Sequence, residues 1–142
     1  MIKPNKLGGL EMKDRKVILS TLWIFAMFNY LYADFCSLLE PGMLEKLMTG
    51  SVGGIPITLA MLLGGVILME TAIAMILLSR ILKYRANRLA NVIVGAIHTA
   101  AVLLSMVFGG VPPAYYLILI TIEVACTLFI IWYAWTWRKQ EA

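Results

Sequence analysis

Four stretches of the chain read as long apolar runs, and the segments between and outside them hold most of the charge. The runs cover about residues 17–39, 55–82, 89–108 and 113–137. Each reaches the roughly 20 residues that a helix needs to cross about 30 Å of hydrocarbon. Strands of a membrane barrel would instead alternate apolar and polar positions over about ten residues, and none of the runs does so. A helix also satisfies its backbone hydrogen bonds internally, which lipid demands. The pattern therefore predicts an all-α, membrane-embedded four-helix bundle, with antiparallel neighbours joined by short loops.

The punctuation between the runs is equally specific. Met1–Lys16 is polar and basic, and Gly8 and Gly9 within it predict a loose tail rather than a helix. The next apolar run is too long for the core of a signal peptide, and no A-x-A site follows, so no cleavage is expected. Pro41 and Gly42 should stop the first span. Met43–Met48 fits a short surface helix, with Glu45 and Lys46 in water. Gly50–Gly54 should turn the chain back, with Pro56 in the first turn of the second span. Gly109, Gly110, Pro112 and Pro113 predict a tight third connection. Residues 138–142 form a short polar C-terminal tail.

Composition points the same way. The 142 residues are 61% hydrophobic and 14% charged, against about 45–50% and about 25% in soluble domains. A chain this short has too much surface to hide that excess from water. The net charge of +4 does not indicate a nucleic-acid partner, because the basic residues sit where the runs end and lipid headgroups begin. Membrane lipids are the expected partners, and no nucleic acid is expected.

The distribution of charge also predicts orientation. Lys3, Lys6, Lys13, Arg15 and Lys16 precede the first span, Arg80, Lys83, Arg85 and Arg88 flank the second connection, and Arg138 and Lys139 follow the fourth span. Lys46 alone lies on the other side. By the positive-inside rule both termini are cytoplasmic, as in a multi-pass protein of the plasma membrane. Trp132, Trp135 and Trp137 fit an inner aromatic belt, and Tyr115 and Tyr116 an outer one. Cys36 and Cys126 lie at different depths and predict no disulfide, and there is no CxxC metal spacing.

The informative residues are the polar ones inside the runs. Glu70, His98 and Glu123 each fall roughly 15 Å along a helix from the nearest boundary, near mid-depth. A charge there costs at least about 2.5–3.5 kcal/mol, so these side chains should face the bundle interior or find partners. Asn91, Gly95, His98, Thr99 and Ser105 make a small, polar stripe on the third span. Ala26, Asn29, Ala33 and Cys36 make another on the first, with Tyr30 beside it. Ala60 and Gly64 should allow close approach on the second. On this pattern both glutamates meet His98 and Asn29 at the centre.

Three roles fit that centre. It is a buried hydrogen-bonded cluster that sets helix register, a proton or cation pathway, or a ligand or metal site. Glu70, His98 and Glu123 are the candidate metal ligands, although no single helix supplies a His/Glu pair at the spacing a local site would use. Asp34, with Asn29, Tyr30 and Tyr32, forms a second group in the outer half of the first span. It either reaches headgroup water or lines an outer vestibule leading to Glu70 and Glu123. The nine methionines are spread out and read as packing or lipid-facing residues rather than copper ligands. No nucleophile motif, G-x-S-x-G or H-E-x-x-H, is present, so no catalytic residue is assigned. Ile67–Ala72 and Ile120–Ala125 are weakly alike, as a parallel duplication would leave them.

The segments Leu22–Asp34, Leu78–Arg80 with Lys83–Arg88, and Ile122–Thr127 with Trp132–Trp135 resemble an uncharacterised bacterial family of small four-helix membrane proteins, a domain of unknown function. The resemblance covers most of the chain. It implies an integral protein of the bacterial inner membrane and carries over no activity, cofactor or site residue. The leading functional expectation is transport or conduction of a small solute, proton or cation, with Glu70, Glu123 and His98 at the centre and Asn29, Tyr30 and Asp34 on the way to it. The alternatives are a membrane-embedded enzyme or ligand-binding protein using the same centre, and a structural subunit of a larger membrane complex. A homo-oligomer fits any of these, since four helices enclose a narrow pore at best. The cofactor, if any, is unknown from sequence.

Overall fold

The computed structural model describes residues 4–52, 54–108 and 112–138, with the backbone alone for 4–10, 52 and 108. In chain order the elements are α1 (Pro4–Leu38), α2 (Met43–Met48), β1 (Ser51–Val52), β2 (Ile55–Pro56), α3 (Leu59–Ile81), α4 (Tyr84–Phe108) and α5 (Ala114–Trp135). α1, α3, α4 and α5 are long and apolar enough to cross a membrane. The expected four-helix bundle is the architecture observed.

The helices pack in a ring in which each touches its two neighbours: α3 against α1, α1 against α5, α5 against α4, and α4 against α3. α1 and α4 are thus diagonal, as are α3 and α5. The buried positions explain this packing. On α1 they are Leu19, Trp23, Ala26, Tyr30 and Ala33; on α5 they are Ile120, Glu123, Thr127, Ile130 and Ala134; on α3 they are Ala72, Met75 and Ser79. Each series alternates steps of three and four residues, the seam along which helices at a shallow left-handed angle stay in contact. Large apolar side chains such as Phe28, Leu31, Leu77 and Ile118 stand more than 60% exposed on the outside, which suits lipid as the surroundings.

Each end of the bundle has its own ties. At one end the early turns of α1, the Leu82–Lys83 link, and the C-terminal part of α5 meet. There Arg15 stands over the Tyr133 ring at 4.9 Å, and Tyr84 donates its hydroxyl to the Trp137 carbonyl at 2.6 Å. At the other end Tyr115 donates to Glu40 at 2.8 Å.

Several boundaries differ from those read in the sequence. α1 begins at Pro4 and passes through Gly8 and Gly9, where a loose tail was expected. Glycine costs only about 1 kcal/mol against alanine in a helix, which a helix already propagating from α1 can absorb, and proline suits a first turn. Pro56 lies in β2, paired with Ser51, and not in a helix. α3 starts three residues later, where Thr58 caps it by accepting from the Met61 amide at 3.2 Å. Gly42 and Gly50 take φ of 80° and 76°, left-handed values that favour glycine at the turns flanking α2. α4 starts at Tyr84, five residues before the expected boundary, so Arg85 and Arg88 are helical. Trp137, assigned to an aromatic belt, is instead buried against Tyr84, with ring centroids 5.2 Å apart; Trp132 and Trp135 are exposed. The third connection at Gly109–Val111 and the tail from Lys139 onward lie outside the described residues.

Candidate functional site

Polar side chains run along the inside of the bundle from the terminal end to beyond its middle. Nearest that end, Ser20 donates to the Ile76 carbonyl at 2.7 Å and accepts from Arg80 Nε at 3.1 Å, tying α1 to α3. Deeper in, Asn91 is the hub. Its Oδ1 accepts from Trp23 Nε1 at 2.7 Å and from Ser79 Oγ at 3.3 Å. An indole nitrogen can only donate, so this contact fixes which end of the amide faces it. The Asn91 amide nitrogen then donates to Asn87 Oδ1 at 2.7 Å and to the Asn87 carbonyl at 2.9 Å. Asn87 in turn donates to the Ser79 carbonyl. Trp23, Ser79, Asn87 and Asn91 are fully buried, and the network joins three helices across the centre.

His98 follows, two turns further along α4 and 1% exposed. Its Nε2 lies 3.1 Å from Thr71 Oγ1 on α3. The Thr71 hydroxyl hydrogen is already directed at the Leu68 carbonyl, 2.6 Å away, so Thr71 accepts and His98 Nε2 donates. The imidazole is held from both sides by aromatic rings of α1. Trp23 meets it edge-on, and Tyr30 stacks on it, both with centroids 5.5 Å away.

Beyond His98 the satisfaction fails. The Tyr30 hydroxyl and Glu123 Oε1 are both buried, and neither has a hydrogen-bond partner among the described residues. The two side chains are close enough to interact electrostatically, and Glu123 is within electrostatic reach of Asp34 and Tyr116 as well. Buried polar atoms are normally paired, so these two orphans need an explanation. Glu123 cannot turn away, because it lies on the inward seam of α5. One turn along, the Thr127 and Thr99 hydroxyls hydrogen-bond at 2.8 Å. There α4 and α5 approach closely at Gly95, where an added Cβ would stand 2.8 Å from Ile131 Cγ1.

Residues 10–142 match the family of unknown function DUF6326. The chain belongs to this family. No curated protein and no solved structure matches it. The family carries over no site, so roles in this DUF6326 chain rest on its own geometry.

That geometry separates the six residues singled out from the sequence. Tyr30, His98 and Glu123 lie inside the bundle, with Tyr30 in contact with His98 and near Glu123. Asn29 is half-buried and donates to the Leu119 carbonyl at 3.1 Å, not to a glutamate. Asp34 is exposed, one turn beyond Tyr30. Glu70 is exposed on the outer side of α3, so it does not meet His98. The reason is helical phase: Glu70 is two residues, about 200°, from the Ala72 that sets the inward seam. Thr71, its neighbour, is the α3 residue that reaches His98. The alike segments around Glu70 and Glu123 therefore place their acids differently. Among the described residues no three His, Cys, Asp or Glu side chains gather as metal ligands.

The expected small-residue faces divide in the same way. Ala26, Ala33, Asn91, Gly95, His98 and Thr99 are buried as expected, whereas Ser105 is exposed. Ala60 and Gly64 are exposed, and nothing lies within 4 Å of a Cβ added at Gly64. Sequence reasoning missed Ser20, Trp23, Thr71, Ser79 and Asn87. For Asn87 a signal existed: with Asn91 and Gly95 it continues the polar stripe of α4 back into what read as a basic loop.

Proposed function

We propose that this chain is a multi-pass protein of the bacterial inner membrane, with both termini cytoplasmic, and that it conducts protons or a small cation through Tyr30 and Glu123. The observation that carries this reading is the buried Glu123 Oε1, which like the buried Tyr30 hydroxyl has no hydrogen-bond partner among the described residues. A carboxyl at membrane depth demands a proton, a cation or a donor. All nearby polar groups of the Asn91 network are already engaged with one another, so that part of the column serves as a rigid support. Tyr30 links the two regions, with its ring on His98 and its side chain within electrostatic reach of Glu123. Asp34 and Tyr116 mark the approach from the end opposite the termini, and the Lys/Arg excess at the terminal end supports the orientation.

The test is flux in liposomes reconstituted with the purified protein, driven by a pH gradient and then by a cation gradient. Glu123→Gln abolishes pH-dependent flux while thermal stability in detergent stays within the wild-type range. Glu70→Gln, on the outer face, leaves flux unchanged. Wild-type flux in Glu123→Gln eliminates this reading.

A second reading has its own observation in support. α3 is the least covered of the four spans, and the side turned away from Ala72 carries Ala60, Gly64 and Glu70, all exposed. A structural subunit that packs by this face would use small residues for close approach and would shelter the acid. Native mass spectrometry that finds a stoichiometric complex, lost in Gly64→Leu, favours it.

A further inference from the structure

A groove of about 370 Å³ runs down the outside of the bundle at the terminal end, between the first turns of α4 and the last turn of α5. Tyr84, Arg85, Arg88, Leu89, Val92 and Trp135 line it. Its chemistry is divided along its length. Two guanidinium groups stand at the level where the helices begin and end. Leu89 and Val92 continue the wall along α4 toward the apolar middle. Arg88 stands over the Trp135 ring with its central carbon 5.1 Å from the centroid. A guanidinium stacked on a ring keeps its N–H edge free to donate in the ring plane. Neither Arg85 nor Arg88 forms an ion pair among the described residues, where the one salt bridge is Arg15 with Glu11.

An anion and an apolar body must therefore be offered together, and an interfacial depth with an exposed tryptophan suits a lipid. We propose that this groove binds one anionic phospholipid, with its phosphate between Arg85 and Arg88 and an acyl chain along Leu89, Val92 and Trp135. The charge complementarity is one-sided, since no lining residue is acidic. A zwitterionic lipid brings a cation to the same place and is disfavoured. The inference rests on the four long helices being membrane spans and is independent of any flux through Glu123.

The test uses the full chain purified in detergent, with native mass spectrometry after adding phosphatidylglycerol or phosphatidylcholine at equal mole fraction. The wild type retains phosphatidylglycerol preferentially. The double substitution Arg85→Gln/Arg88→Gln weakens that retention roughly 10–30-fold, as two interfacial cations should. Lys83→Gln removes a charge from the same end but not from the groove, and it retains the lipid as the wild type does. Equal retention in the double variant overturns the proposal. So does an equal loss in Lys83→Gln, which marks diffuse charge instead of a site. A second measurement leaves both arginines in place. Brominated phosphatidylglycerol quenches tryptophan fluorescence more than brominated phosphatidylcholine does, and Trp135→Phe removes the difference. No difference between the two lipids in the wild type overturns the assignment. Protein that stays monodisperse in buffer without detergent removes the membrane reading itself, and is seen before either lipid is added.

Discussion

Tyr30 stacks on His98, with ring centroids 5.5 Å apart and planes 27° from parallel, while its own hydroxyl has no hydrogen-bond partner among the described residues. The ring and the hydroxyl therefore do separable work. Tyr30→Phe keeps the stack and removes only an unsatisfied group, so its stability should stay within about 0.5 kcal/mol of wild type or rise slightly. Tyr30→Ala removes the ring and should cost about 3–5 kcal/mol. Unfolding in detergent checks both. A loss of more than about 1 kcal/mol in Tyr30→Phe means that the hydroxyl has a bound partner in the folded protein. Under the proposed function, Tyr30→Phe also slows flux without loss of fold.

His98 offers a sharper test, because the hydrogen-bond chain fixes a proton. Leu68 takes the Thr71 hydroxyl hydrogen, so Nε2 of His98 is the donor to Thr71. Nitrogen NMR on protein labelled at histidine should show a protonated Nε2. Thr71→Val removes the acceptor and should shift that resonance. Its stability cost should be about 0.6 kcal/mol, up to about 1.7, the range of side-chain hydrogen bonds between membrane helices. An Nε2 that behaves as an acceptor rules out the arrangement.

How much of this was readable in advance depends on the helix. α4 mixes small, polar and apolar residues, so its inward stripe of Asn91, Gly95, His98 and Thr99 stands out by phase. α3 does not announce a face, because in lipid the outside of a helix is as apolar as the inside. Mid-span depth therefore points Glu70 inward, whereas the three-and-four seam through Ala72, Met75 and Ser79 turns it outward. The spans themselves are legible because length and apolarity suffice. The extension of α1 to Pro4 is not, since a glycine pair lowers helix propensity without forbidding a helix. The unsatisfied pair of Tyr30 and Glu123 needs coordinates: both residues are visible in sequence, but only packing shows that they lack partners.

Trp23 and Asn91 make the diagonal contact between α1 and α4 at 2.7 Å. Asn91→Leu strands the indole N–H, the Ser79 hydroxyl and the Asn87 side chain in a dry centre, at a cost of about 1–3 kcal/mol for each group left unpaired. Trp23→Phe alone loses one donor and some packing. In the double variant the two losses overlap, so its cost should be smaller than the sum of the singles. Unfolding of the four proteins of this cycle in detergent measures the coupling. Strict additivity contradicts a direct bond.

Gly95 and Gly64 should respond oppositely to alanine. At Gly95 the new Cβ would meet Ile131 Cγ1 at 2.8 Å and the Thr127 carbonyl oxygen at 3.5 Å. Cγ1 is not the free end of the isoleucine, so α4 and α5 must separate or Ile131 must change rotamer. The overpacking should cost about 1–3 kcal/mol. Gly64 meets nothing within 4 Å, and alanine there improves helix propensity by up to about 1 kcal/mol. Thermal unfolding in detergent should therefore rank Gly64→Ala at or above wild type and Gly95→Ala below it. Ile131→Ala should recover part of the Gly95→Ala loss by removing the atom that is struck, although it costs packing in its own right. If Gly64→Ala is instead the more damaging, the outer face of α3 is occupied in the working protein, and the subunit reading gains over conduction.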